Sequence, residues 1–62
     1  MDWYQYKQMD PHLLVGLVNT ELRNHSNSLD DLCRTHDINA SQLSALLEAN
    51  DYHYRKEINQ FR

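Results

Sequence analysis

Apolar residues recur along this chain at helical spacing in three blocks, separated by short runs rich in Asp, Asn and Ser. Asp10 and Pro11 open the first block: the aspartate caps free amide groups and the proline is preset for a first helical position. Leu14, Leu17, Val18 and Leu22 follow on one face, which predicts a helix from Pro11 to about His25, with Asn19, Arg23 and Asn24 turned elsewhere. Leu13 and Val15 widen that stripe, so the first two turns are apolar around much of their circumference and need a cover beyond the core. The N-terminal arm is the expected cover, with a second copy of the chain as the alternative. Gly16 would admit another backbone closely, although a helical glycine costs about 1 kcal/mol relative to alanine.

The second and third blocks form a unit from Ser28 to Asn50. Ser28 is an N-cap, and Asp31 three residues on completes a capping-box-like start while suiting the positive end of the helix dipole. Leu29, Leu32, Cys33 and His36 fall at i, i+3, i+4 and i+7, and Asp37 ends this helix. Asn39 caps a third helix with Gln42 three residues later; Leu43, Leu46 and Leu47 make its inward stripe, and Ile38 plugs the turn. The layout resembles the helix-turn-helix family: apolar Leu32, small Cys33 where the helices cross, a turn at Asp37, apolar Ile38, then Leu43 and Leu46. That family commonly has glycine at the turn, and aspartate tolerates the same left-handed conformation. Any compact helix pair with a tight turn needs a small crossing residue and a plug, so the likeness speaks to architecture before function.

The two ends lack the helical period. Trp3, Tyr4, Tyr6 and Met9 sit among Asp2, Gln5, Lys7 and Gln8 with neither helical nor alternating spacing, so residues 1–9 read as an aromatic N-terminal arm. Trp3 and one tyrosine are expected to lie back on the first helix, since large aromatics bury much area at low entropic cost. A partner surface is the other use of such an arm, because Tyr and Trp concentrate at interface hot spots. Asn50 and Asp51 end the third helix, with Asn50 as the expected left-handed cap. Tyr52 and Tyr54 then share a face, Arg55 to Glu57 turn, and Ile58 to Phe61 return. A short C-terminal β-hairpin is expected there, docked through Tyr52, Tyr54, Ile58 and Phe61, because an isolated two-stranded ribbon is marginal. The predicted class is mainly α: three short helices with a helix-turn-helix-like pair and then the hairpin, forming a single small helical domain over residues 10–62.

Size restricts what such a domain does. A chain of 62 residues buries only about 60% of the surface its unfolded form exposes. Roughly a dozen apolar side chains fill a core of this size, leaving few to wall a substrate cleft of ~300 Å³ or more. No enzyme is expected. The formal net charge is -3, and the six Lys and Arg residues are scattered as Lys7, Arg23, Arg34, Arg55, Lys56 and Arg62. The basic stripe that supplies non-specific nucleic-acid affinity is missing. In a DNA reader the third helix would turn Asn39, Ser41, Gln42 and Ser44 toward a groove, with Arg55 and Lys56 as a wing-like tip. Asn and Gln can read adenine edges, but Glu48 would repel phosphates and nothing on that face is basic. Nucleic acid is therefore the disfavoured alternative.

Cys33, the single cysteine, excludes an internal disulfide and suits the cell interior. Cys33 and His36 share a helix face, but both lie on a stripe that must pack. A buried thiol and a half-buried imidazole are expected there, rather than metal ligands or a nucleophile. His12 and His25 read as solvated helix-end residues. No catalytic residue, metal site or cofactor is expected. No apolar run approaches the ~18 residues of a spanning helix, and the opening residues lack a signal-peptide pattern, so a soluble cytoplasmic protein is expected.

A wider combination joins these blocks: Asp10, Pro11, Leu13 and Leu14 with Val18 and Asn19; Leu22 and Arg23; Ser28, Leu29, Asp30, Leu32 and Cys33; and finally Tyr52, Tyr54, Asn59, Gln60 and Phe61. It resembles a family of small bacterial domains of unknown function, numbered four-two-five-zero in the unknown-function series. The resemblance spans Asp10 to Arg62. This chain departs at Gly16, where the family pattern has serine, and at Asn50 and Asp51, where it has a glycine before Tyr52. The resemblance implies an intact domain of bacterial cytoplasmic origin and transfers no functional residue. The expected role is a non-enzymatic protein interaction or scaffold module. It would meet an unknown protein partner, or a second copy in a weak homodimer, through Trp3, Tyr4, Tyr6, Leu13 and Val15.

Overall fold

Three capped helices and one hairpin pack around Leu14, Leu32, Leu43 and Phe61 in the computed structural model, which describes residues 3–62. Helix α1 spans Pro11–Asn24, and its cap Asp10 accepts from the His12 amide at 2.9 Å. Helix α2 spans Leu29–His36; the Ser28 hydroxyl accepts from the Asp31 amide at 3.1 Å, and the Asp31 carboxylate reaches back to the Asn27 amide at 3.0 Å. Helix α3 spans Ala40–Glu48, with the Asn39 side chain accepting from the Gln42 amide at 3.1 Å. Each cap falls where the pattern predicts it, because capping is a local matter of supplying an acceptor to amides the helix leaves free.

The helix ends use left-handed residues. Asp37 has φ 58 and ψ 50, and the Ile38 amide behind it returns to the Cys33 carbonyl at 2.8 Å. At the end of α3 the left-handed residue is Asp51, with φ 68, and not Asn50. The Tyr52 amide returns to the Leu47 carbonyl and the Asp51 amide to that of Glu48, each at 3.0 Å, which is the Schellman arrangement. Asp51 thus occupies the position before Tyr52 where the resemblance predicts glycine, and a positive φ there is what glycine would accommodate most easily.

The core gathers Leu14, Val18 and Leu22 of α1, Leu29, Leu32 and Cys33 of α2, and Leu43 and Leu47 of α3, closed by Phe61. Leu17 and Leu46 are only half-buried, at the edges of their stripes. Val15 joins the core, whereas Leu13, which falls on the opposite side of α1, is 61% exposed. In the arm, Trp3–Gln8 winds into a 3-10 helix and buries Tyr6 in the same core. Trp3 packs against this core and stacks on the His36 ring of α2, with centroids 4.5 Å apart. The first two residues of the arm lie outside the described residues.

The hairpin pairs β1 (Tyr54–Arg55) with β2 (Gln60–Phe61), Tyr54 opposite Phe61 and Arg55 opposite Gln60. His53 and Arg62 extend the ladder through two 2.8 Å backbone bonds. Its turn runs from Lys56 to Asn59, so the return strand starts later than expected. Ile58 consequently sits in the turn, 45% exposed, and does not dock on the helices.

Candidate functional site

Polar side chains hold the hairpin to the helices. The Asn19 side chain accepts from the Phe61 amide at 2.8 Å and donates to the Phe61 carbonyl at 3.1 Å, so it pairs with β2 much as a further strand would. Asn59 Nδ2 donates to the Leu22 and Ser26 carbonyls at 3.0 and 3.1 Å, supplying a donor to acceptors left open at and just beyond the end of α1. The Tyr54 hydroxyl donates to Asn59 Oδ1 at 2.7 Å and accepts from the Leu29 amide at 3.3 Å, which ties the hairpin to the start of α2. Gln60 Nε2 donates to the Asn19 carbonyl at 2.9 Å. Every one of these partners is internal, so these side chains brace the hairpin against the helices.

The opposite situation holds where the N-terminal turn meets the α2–α3 turn. A groove of about 320 Å³ opens there, walled on one side by Trp3, Tyr4, Tyr6 and Lys7 and on the other by Asp37, Ile38, Asn39 and Gln42. Trp3 is braced from behind by His36, whose Nε2 shares a 2.9 Å hydrogen bond with the Glu21 carboxylate. Tyr4 stands 80% exposed at the rim. Lys7 Nζ lies 5.9 Å from the centre of the Tyr6 ring.

Two groups of residues that the sequence suggested for different partners therefore meet in one place. Trp3, Tyr4 and Tyr6 come from the expected protein surface, and Asn39 and Gln42 from the expected nucleic-acid face. The remaining candidates are dispersed. Val15 is in the core, because it continues the stripe of Leu14 and Val18 around α1, and Leu13 is on the outer side of that helix. Tyr6 is also a core residue at only 6% exposure, so what it contributes is mainly the floor of the groove. On α3, Ser41 is exposed and Ser44 half-buried; Arg55 is exposed on the hairpin. Lys56 and Asp30 both line a second cavity of about 230 Å³. Lys7, Asp37 and Ile38 were not expected at a site; their only signal was proximity to turns, and the contact across the groove is tertiary.

The groove offers aromatic faces, primary amides and one charge of each sign, a set suited to binding. Burial pushes the Tyr6 phenol above its ordinary value, with the Cys33 thiol beside it adding to the shift. Burial likewise pushes the Cys33 thiol up, helped by Asp30, which favours the protonated form of this buried thiol. His12, at the start of α1, shares a 2.6 Å hydrogen bond with the Tyr52 hydroxyl instead of standing free. Among the described residues there is no group of three or more His, Cys, Asp or Glu residues placed to hold a metal, and no helix long and apolar enough to cross a membrane.

Fold and site together define a small, mainly helical domain braced by a C-terminal hairpin, with one aromatic groove at its N-terminal end. The family described as Domain of unknown function (DUF4250) matches residues 8–61, and the chain belongs to it. That match covers the whole helical unit and the hairpin, and begins after Trp3, Tyr4, Tyr6 and Lys7. No curated protein and no solved structure matches the chain.

Proposed function

We propose that this domain is a non-enzymatic protein-interaction module that receives a short extended segment of a partner protein in the groove between the N-terminal turn and the α2–α3 turn. The observation that carries this reading is the make-up of the groove. Trp3 and Tyr4 are the residue types that anchor interfaces, Ile38 adds an apolar wall, and Asn39 and Gln42 can bond a partner backbone. Lys7 and Asp37 face the same space with opposite charges, which suits a segment carrying both signs better than a polyanion. The overall charge of -3 points the same way, against nucleic acid. A bacterial cytoplasmic setting belongs to this reading, supported by the family resemblance and by Cys33 as a lone buried thiol.

Selection from a displayed peptide library against the folded domain tests it. The selected peptides should bind the wild type and lose at least about tenfold in affinity, roughly 1.4 kcal/mol, with Tyr4→Ala or Gln42→Ala. Generic duplex DNA at low salt should not bind. A duplex shift that weakens with Gln42→Ala, Arg55→Ala or Lys56→Ala would favour the nucleic-acid alternative, and selected peptides indifferent to Tyr4 and Gln42 would remove the groove from the account.

A further inference from the structure

The outer side of α1 poses a separate problem. Gly16 is the only glycine in the chain, its φ is not in the left-handed region, and a Cβ placed on it would meet nothing within 4 Å. The monomer therefore gives no reason for glycine at a mid-helix position, where it is a poor helix former. Beside it Leu13 is 61% exposed, and Leu17 is half-buried at the edge of the same face. Thr20 completes the face, and its hydroxyl donates to the Gly16 carbonyl at 2.9 Å. Covering Thr20 would thus strand no donor. The N-terminal turn, the expected cover for this side of α1, packs instead on the core and on His36.

We infer that this face binds a second copy of the chain, α1 against α1, antiparallel about a two-fold axis between Gly16 and Leu17. The charges on α1 select that arrangement. In an antiparallel pair centred there, Leu13 faces the other copy's Thr20, and Asp10 at one end faces Arg23 at the other. A parallel two-fold pairing would set Asp10 on Asp10 and Arg23 on Arg23. An isologous contact has to be complementary to itself, and this one is, with Gly16 letting the two backbones approach. A single 14-residue helix is about 21 Å long, so the contact falls short of the roughly 1,200 Å² of stable interfaces and the dimer is weak. It uses a face apart from the groove and does not depend on the peptide-binding reading.

Sedimentation equilibrium between about 10 μM and about 1 mM, a range suited to a contact below the standard size, provides the test. The wild type should rise from the 7.4 kDa monomer toward twice that mass, and Leu13→Glu should stay monomeric with unchanged melting. Gly16→Ala separates the two roles of that position. It should raise Tm by about 4–8 °C while weakening self-association about tenfold or more. In a dilution series followed by amide NMR, shifts should be confined to Asp10, Leu13, Gly16, Leu17, Thr20 and Arg23 and their immediate chain neighbours. A wild type monomeric at about 1 mM would overturn the inference, as would Leu13→Glu associating normally, Gly16→Ala lowering Tm, or dilution shifts centred on the groove.

Discussion

The hairpin and the N-terminal turn are both short, aromatic and lacking in helical period, yet they are held in different ways. The hairpin is fixed by directional bonds that Asn19, Tyr54, Asn59 and Gln60 make, each to a partner far along the chain. The N-terminal turn is held to the helices through rings, with Tyr6 in the core and Trp3 on His36. Directional bonds to backbone groups tolerate little displacement, whereas ring contacts are non-directional and can re-form at slightly different positions. The hairpin thus closes the fold, and the turn is the part we propose meets a partner.

Mutations can break or sharpen that contrast. Phe61→Ala should have the largest effect, about 3–5 kcal/mol in urea or thermal unfolding, because a fully enclosed ring leaves a cavity. A small loss would mean that the hairpin is peripheral. Asn59→Ala comes next at about 4 kcal/mol, from three lost hydrogen bonds of about 1 kcal/mol each and about 1 kcal/mol of strain for alanine in a left-handed position. Asn59 sits at φ 55, so Asn59→Gly should recover about 1 kcal/mol of that loss. Equal costs for the two variants would show that backbone strain plays no part. Trp3→Ala should cost only about 1 kcal/mol, the scale of one half-exposed ring pair. A loss matching that of Asn59→Ala would make the N-terminal turn part of the closure. Tyr4→Ala should stay within about 0.5 kcal/mol of wild type in the same unfolding assay.

What could be read in the sequence followed the range of the interactions. Asp10, Ser28 and Asn39 were legible as caps because a cap needs only the next two or three residues. Leu14, Val18, Leu22, Leu43 and Leu47 were legible because a helix repeats its face. Asn19 looked merely turned away from the core, since its bond to Phe61 spans 42 residues. Ile58 was misassigned because the turn is longer at its C-terminal side than three residues, and one shift of register changes which side chains dock. The groove was visible only as two unconnected halves. Aromatics near residue 4 and amides near residue 40 were both noticed, but only the tertiary fold places them across a common space.

On the proposed function, the N-terminal groove, and not the hairpin, is where a partner is met. Photo-crosslinking in the native host tests this directly, with a benzophenone amino acid placed at Tyr4 in one variant and at Ile58 in another, two exposed positions at the two contrasted ends. A discrete protein adduct from position 4 that is lost on adding Gln42→Ala, with none from position 58, is the predicted result. An adduct from position 58 alone, or one from position 4 that survives Gln42→Ala, would contradict it.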